Sequence, residues 1–285
     1  MSAEVEAIIR RHAAPLEPLP TDTAARLEPL GDIRAALFDV YGTLIVSGSG
    51  DVGLTSKSDR WAAANEAAAA VGVAPPEDPR KLGDTLLAAI EAEHARLRAD
   101  GVRHPEVRIE ELWEGVVPEA DSRQLAAEYE MRINPVWPMP GMVETLDALR
   151  ASDFRLGIVS NAQFFTPLLF GPLTGRPFGD FGFEPDLCVW SYGHRCAKPG
   201  TDLYEKAAAA LAKFDVTPAQ TLYVGNDMRN DVWPASRVGF RTALFAGDAR
   251  SLRLREDDPD VAGGRPDVVL TDLRQVLKVV SDRPG

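Results

Sequence analysis

The sequence predicts an α/β protein: a three-layer arrangement, with a parallel sheet between two layers of helices, interrupted near its start by a mostly helical second domain. Three observations carry that expectation. From residue 141 onward, short apolar runs that stop abruptly at polar residues alternate with amphipathic segments of about 8–13 residues. Between 47 and 140 the texture changes to Ala-rich stretches whose apolar residues recur every three or four positions, without strand-like alternation. The chain has 285 residues, 45% hydrophobic and 26% charged, enough apolar material for about two compact domains.

In chain order, residues 1–33 are rich in Ala, Pro and Glu and read as an arm with one short amphipathic helix at 4–12. The run RAALFD (34–39) reads as a buried strand that ends at Asp39 and a turn through Tyr41, Gly42 and Thr43. The core begun at 34–46 gives way to SGSGDVG (47–53), a flexible hinge by composition, and resumes at 141–285. The inserted domain, 47–140, carries helices at 59–71, 80–98, 109–113 and 122–131 and closes on NPVWPMPG. After it come a helix at 142–151, strands at 155–160 and 187–190, and a helix at 201–213. The strand TLYVG (221–225), a helix at 231–238 and short strands at 242–245 and 267–270 complete the series. Such alternation implies right-handed crossovers, with the ligand crevice beyond the carboxyl ends of the strands.

Charge narrows the partners. The 31 basic and 43 acidic residues leave a formal net charge of -12, a surface that repels phosphate polymers and anionic lipid, so neither nucleic acid nor membrane is expected. No run approaches the roughly 18 apolar residues of a spanning helix, and the N-terminus has no signal-peptide core. With only Cys188 and Cys196, a disulfide framework is excluded and a reducing cytoplasm is expected. A small anionic substrate remains open, because a bound metal reverses the local sign. Monomer and homodimer both remain open.

The chemistry collects at strand ends. Asp39 follows ALF, Ser160 and Asn161 follow GIV, and Asn226 and Asp227 follow LYVG. In a parallel sheet these termini converge on one rim, and Lys198, in AKPG before a helix, brings a cation to it. Singly, each has an ordinary explanation: Asp39 as a turn residue, Ser160, Asn161 or Asp231 as a helix cap, Lys198 as solvated surface. Together and in this order they say more. The string Asp39-Val40-Tyr41-Gly42-Thr43-Leu44 resembles the first motif of the haloacid dehalogenase superfamily. Ser160-Asn161 resembles its second motif, Lys198-Pro199 its third and GNDMRND (225–231) its acidic fourth. The resemblance covers roughly 34–270, with the helical insert where that family carries a cap on a Rossmann-like core.

The resemblance implies a hydrolase with Asp39 as a carboxylate nucleophile, which splits a displacement into covalent capture and later hydrolysis. Thr43 would hold that carboxylate or the bound group. Ser160 and the backbone N–H of Asn161 would receive anionic oxygens of the substrate, and Lys198 would offset the charge of the nucleophile and the transition state. Asp227 and Asp231 suit Mg²⁺, a hard ion that takes oxygen ligands. By similarity, Asp39, the backbone carbonyl of Tyr41 and a fourth-motif residue would share the ion.

Two departures bear on mechanism. Tyr41 stands where phosphatases of the family usually carry a second Asp as general acid, and an unperturbed phenol titrates near ~10. The acid would then be bypassed by a leaving group of low pKa or replaced from the cap. GND in place of Gly-Asp moves the carboxylate along by one and leaves Asn226 and Asp227 as alternative ligands. The Asp-x-Tyr-Gly-Thr form is similar to that of 2-haloacid dehalogenases, which attack carbon and need neither metal nor acid; Tyr204, six residues after Lys198, matches a spacing known in them. The fourth-motif carboxylates, which would repel one another without a cation, weigh toward a Mg²⁺-dependent phosphatase. It would act on a small phosphorylated metabolite through an aspartyl-phosphate. A metal-independent dehalogenase with an ester intermediate and a weakly active metal- or ligand-binding protein are the alternatives. His12, His94, His104 and His194 lack metal-ligand spacing, Cys196 reads as a semi-buried thiol, and Trp61, Arg96 and Trp113 follow helical spacing. Substrate choice is expected in the insert and the SGSGDVG hinge.

Overall fold

A computed structural model describes residues 2–50, 56–261 and 263–280. The chain opens with α1 (Ser2–His12), whose Val5, Ile8 and Ile9 are buried. β1 (Ala35–Phe38) is buried at every position and leads into the three-residue β2 (Ile45–Ser47). Four cap helices follow: α2 (Lys57–Ala70), α3 (Lys81–Ala99), α4 (Ile109–Val116) and α5 (Ser122–Ile133). β3 (Val136–Pro138) returns antiparallel to β2, so a two-stranded ribbon marks where the chain leaves and re-enters the core. The remainder runs α6 (Met142–Ala151), β4 (Arg155–Ser160), α7 (Phe170–Thr174), β5 (Phe183–Trp190) and the one-turn α8 (Ser191–His194). It ends with α9 (Asp202–Leu211), β6 (Thr221–Gly225), α10 (Trp233–Val238), β7 (Arg241–Phe245), β8 (Val268–Leu270) and α11 (Gln275–Val280).

Six strands form one parallel sheet in the order β5-β4-β1-β6-β7-β8. Successive side chains of a strand alternate between faces, and β1 shows the consequence. Ala35 and Leu37 pack with Leu203, Tyr204 and Ala207 of α9 and Ala235 of α10, whereas Ala36 and Phe38 belong to the cluster with Leu146 of α6 and Val276 of α11. Both faces are covered, which is why the strands are continuous apolar runs. The chain winds from β1 toward β5 and then, from β6, the other way. The crevice at that reversal lies between the carboxyl ends of β1 and β6, and Asp39 and Asn226 sit there.

In the cap, Ala63, Ala64, Ala67 and Ala68 let α2 lie close on α5, and Trp113 of α4 is fully buried, edge-on to Tyr129 at 5.4 Å. Trp61 donates to Asp84 at 2.8 Å, and Arg96 pairs with Glu93 and Asp100 on the surface.

The structure differs from the sequence reading in several places. β5 begins at Phe183, because its solvent-side Glu184, Pro185 and Asp186 hide the strand pattern. The arm is tied down: Arg26 pairs antiparallel with Val269 and its guanidinium caps the carbonyls of Pro266 and Asp267, which closes the open edge at β8. α1 packs on α5, where the buried Glu128 meets Arg11, His12 and Arg132. The helix expected at 231–238 begins later, because Met228–Val232 form a π-helical turn capped by Asp227 rather than by Asp231. Of the SGSGDVG hinge, Ser47 ends β2, and 51–53 lie outside the described residues. No helix among the described residues is long and apolar enough to cross a membrane.

Candidate active site

The centre of the rim is a buried cation between two carboxylates. Lys198 Nζ donates to Asp39 Oδ1 at 2.7 Å and to Asp231 Oδ1 at 2.6 Å. Burial alone would push the Lys198 ammonium down, but Asp231 and Asp39 reverse this and hold it up at about 12, charged at any physiological pH. Burial raises Asp231, against the opposing pull of Lys198. The hydroxyl of Tyr223 lies 3.0 Å from Asp231 Oδ1, 3.3 Å from Lys198 Nζ and 2.8 Å from the Val159 carbonyl, so β6 props the pair from below. Gly225 makes room for this: a Cβ there would stand 2.4 Å from Asp231 Cγ. Gly42 is required for a second reason, a φ of +79° in the turn that follows Asp39.

The remaining sequence-predicted residues reach the rim in less expected roles. Asn161 braces the lysine: its Oδ1 accepts from Lys198 N at 2.8 Å and its Nδ2 donates to Lys198 O at 3.3 Å. Ser160 is fully buried, with its hydroxyl 3.4 Å from the Asn161 carbonyl. Thr43 donates to Asn226 Oδ1 at 3.1 Å, and Asn226 Nδ2 donates to the Ser251 carbonyl at 2.6 Å. The Tyr41 hydroxyl lies 3.0 Å from Thr166 Oγ1, and burial, with Glu130 nearby, pushes that phenol far above its ordinary range. Tyr204 is buried, and its hydroxyl donates to the Asn230 carbonyl at 2.7 Å, which secures the π-helical turn. Burial raises the Cys196 thiol, in keeping with an inert side chain.

The acidic fourth motif is largely committed inside the protein. Asp227 accepts from the backbone of Arg229 and Asn230, from Asn230 Nδ2 and from both edges of the Arg255 guanidinium, at 3.2 and 2.6 Å. Asp231 Oδ2 accepts from Asp227 N at 2.9 Å. Among the described residues no group of three or more His, Cys, Asp or Glu is placed to hold a metal ion. Mg²⁺ asks for less: one or two carboxylates, neutral oxygens, waters and substrate phosphate. Asp39, the Tyr41 carbonyl and Asn226 Oδ1, which keeps a second lone pair beside Thr43, offer hard oxygens of that kind. The donors present fit the ion through Asp39 and Asn226 more directly than through Asp227 and Asp231.

Asp39 opens into a cavity of about 380 Å³. Hydrogen-bonding residues line much of it, among them Asn161, Gln163, Asn226, Asn230, Lys198 and Arg253, while Tyr41, Ala162, Phe165 and side-chain stems supply apolar surface. The cap contributes Glu106 and Glu130, and burial raises both carboxyls to about 7. Sequence reading missed these two, because a Glu on a helix or loop reads as solvated until the tertiary structure buries it. It also missed Tyr223, whose only signal was a phenol within an otherwise apolar strand.

The family model of the haloacid dehalogenase-like hydrolases matches residues 33–239. A glyceraldehyde 3-phosphate phosphatase of Methanopyrus kandleri is 24% identical over 183 residues, 62% of this chain and 73% of that protein. Among solved structures, a phosphatase of Thermococcus onnurineus superposes with a TM-score of 0.54 at 16% identity, covering 89% of this chain and 100% of the other. A 2-haloacid dehalogenase of Pseudomonas syringae pv. Tomato gives a TM-score of 0.55 at 20% identity, covering 87% and 97%.

Proposed function

The chain belongs to the haloacid dehalogenase-like hydrolases, and from that premise we propose that it is a Mg²⁺-dependent phosphatase of small phosphorylated metabolites, acting through an aspartyl-phosphate on Asp39. The amide and cationic side chains placed around the cavity in front of Asp39 carry the reading. Amide and cationic side chains on several sides match a phosphoryl group and a hydrogen-bonding leaving group, whereas a haloalkyl acid undergoing attack at carbon asks for an apolar seat. The curated relative named as a glyceraldehyde 3-phosphate phosphatase supports the same reaction class.

The steps follow from the residues. Asp39 uses its oxygen not bound to Lys198 to attack phosphorus, and the ester oxygen departs. Lys198, fixed from its backbone by Asn161 and from its ammonium by Asp231, keeps a positive charge at the carboxylate throughout, without reorganisation during the reaction. Water then attacks the aspartyl-phosphate and regenerates Asp39. Held at Asp39 and Asn226, Mg²⁺ would supply the charge neutralisation that lets one anion attack another.

Phosphate release from p-nitrophenyl phosphate with Mg²⁺, against halide release from 2-chloropropionate with EDTA, separates this reading from the dehalogenase one. Phosphate release that EDTA abolishes is expected. Halide release indifferent to EDTA sinks the phosphatase. Asp39→Asn is expected to lower turnover by at least about three orders of magnitude, and unchanged activity would remove every nucleophile-based account.

A further inference from the structure

We propose that Glu130, carried on cap helix α5, is the general acid that protonates the leaving oxygen, a part that the residue two beyond the nucleophile cannot take in this chain. The assignment rests on the phosphate-ester reading above. Tyr41 is excluded because its phenol is paired with Thr166 and held to its proton by burial. Among the carboxyls lining the cavity, Asp39 is the nucleophile, Asp231 is bound to Lys198 and Asp227 to Arg255. Both oxygens of Glu106 are taken, Oε1 by Gln163 Nε2 and Val107 N, Oε2 by Ser191 Oγ. Glu130 makes one hydrogen bond, accepting at Oε1 from Asn134 Nδ2 at 3.3 Å.

That single bond orients the group. Ser49 N, which can only donate, meets Asn134 Oδ1 at 3.3 Å, and the Ser47 and Ser49 hydroxyls donate to the same atom at 2.7 and 3.0 Å. The amide is thereby fixed with its NH₂ toward Glu130. Accepting from that NH₂ makes Oε1 the carbonyl oxygen of a neutral carboxyl. The proton then resides on Oε2, which has no hydrogen-bond partner among the described residues, on a side chain that lines the cavity. Burial keeps the carboxyl protonated to about 7, the range a general acid needs at neutral pH.

Burial raises the Glu130 carboxyl against the opposing pull of the Asn134 hydrogen bond. An ionised Glu130 would disfavour the phenolate forms of Tyr41 and Tyr129, so both stay neutral beside it. Asp39, Glu106, Asp227, Asp231, Lys198 and Arg253 face it around the cavity. Of the charged groups that α1 and α2 bring to α5, Arg11, His12 and Glu66 pair with Glu128 and Arg132, and Arg60 acts on Tyr129, the neighbour of Glu130.

In the first step the Asp39 O–P bond forms and the P–O bond to the leaving group breaks. The bonding pair stays on the leaving oxygen, which takes the Glu130 proton and departs as an alcohol. In the second step water attacks phosphorus, its proton passes to the Glu130 carboxylate, and the P–O bond to Asp39 breaks. The balance is ester plus water to alcohol plus phosphate.

Phenyl and p-nitrophenyl phosphate, nearly identical in shape, test the assignment with Mg²⁺ present. Phenolate, from an alcohol titrating near ~10, needs a proton as it leaves, and p-nitrophenolate does not. Glu130→Gln is expected to slow phenyl phosphate hydrolysis by about 10²-fold and p-nitrophenyl phosphate hydrolysis by no more than about threefold. An equal loss on both esters, or no loss on phenyl phosphate, overturns the assignment. The wild-type pH profile carries the same test without a substitution: the phenyl phosphate rate should fall above about pH 7 while the p-nitrophenyl rate holds, and parallel profiles overturn it. A wild-type protein that hydrolyses neither ester overturns the phosphatase reading itself, and the assignment falls with it.

Discussion

At the scale of the residue, Lys198 decides the electrostatics of the rim, because it is the cation shared by Asp39 and Asp231 while almost fully buried. Removing one partner of a buried ion group leaves uncompensated charge, at a cost of about 3–5 kcal/mol. Lys198→Met should therefore lower stability by about that amount at pH 8. The loss should shrink toward pH 5, because Asp231, raised by burial to about 6, then binds a proton in the folded state and escapes the penalty. Urea melts at the two pH values measure this; an equal loss at both would mean that packing, not charge, is what the lysine provides. Asp39 and Lys198 were legible in the sequence: a carboxylate that ends an apolar strand is anomalous by residue type alone, and the lysine falls on the connection leading to the same rim. Their partners were not. Thr43 turned out to serve Asn226, and Asn161 to brace the lysine backbone, because hydrogen-bond direction is settled by tertiary geometry that residue type does not reveal.

At the scale of the element, one loop of the cap is tied to the strip of core that carries the lysine. His104 O accepts from Ala197 N, Arg195 O accepts from Glu106 N, and Pro105 bridges to Cys196, so the 104–107 segment lies along the strip that leads into Lys198. Glu106 adds side-chain ties to Gln163 and Ser191, and Arg195 pairs with Glu93 and Glu111. Glu106→Ala should loosen this seam. Closure then costs more, so kcat/KM should fall about tenfold, equivalent to ~1.4 kcal/mol, with faster amide exchange at 104–107 and 195–197. Unchanged exchange there would show that the backbone pairing alone holds the cap. Regular elements with a clear period were read well from the sequence; α6, β4 and β6 have the expected bounds. The β2–β3 ribbon was invisible, being three residues per strand with Pro138 in one of them. The π-helical turn was unreadable as well, because it is held by Asp227 and Tyr204 rather than by local propensity.

At the scale of the whole molecule, two opposing sets of carboxyls shape stability against pH. Asp32, Asp78, Glu93, Asp147 and Asp272 are held below their ordinary range, chiefly by hydrogen bonds from Gln220 and from arginines. What they contribute is present above about pH 4 and is lost as pH falls below it. These groups are largely solvent-screened, so their effect is small. Glu106 and Glu130 act in the other direction and are half-buried at the cavity wall. Each titrates at about 7 folded against 4.5 unfolded. Between those values the native state binds the extra protons, so stability falls as pH rises, by about 3 kcal/mol per group once pH exceeds 7. The cavity-wall pair should win above pH 5 and the surface set below pH 4, which puts the stability maximum near pH 5, on the acid side of neutrality. The net charge of -12 steepens the decline at high pH through self-repulsion. The double variant Glu106→Gln with Glu130→Gln removes both protons from the balance while preserving shape. It should be more stable than the wild type at pH 8 and equal to it at pH 5, with a shallower decline between, left by Asp231 and the net charge. Denaturant midpoints across that range measure the slope; a wild-type profile that rises from pH 5 to 8 would mean that both carboxyls ionise in the folded protein, and the proton held at the cavity wall by Glu130 would be lost from the mechanism as well.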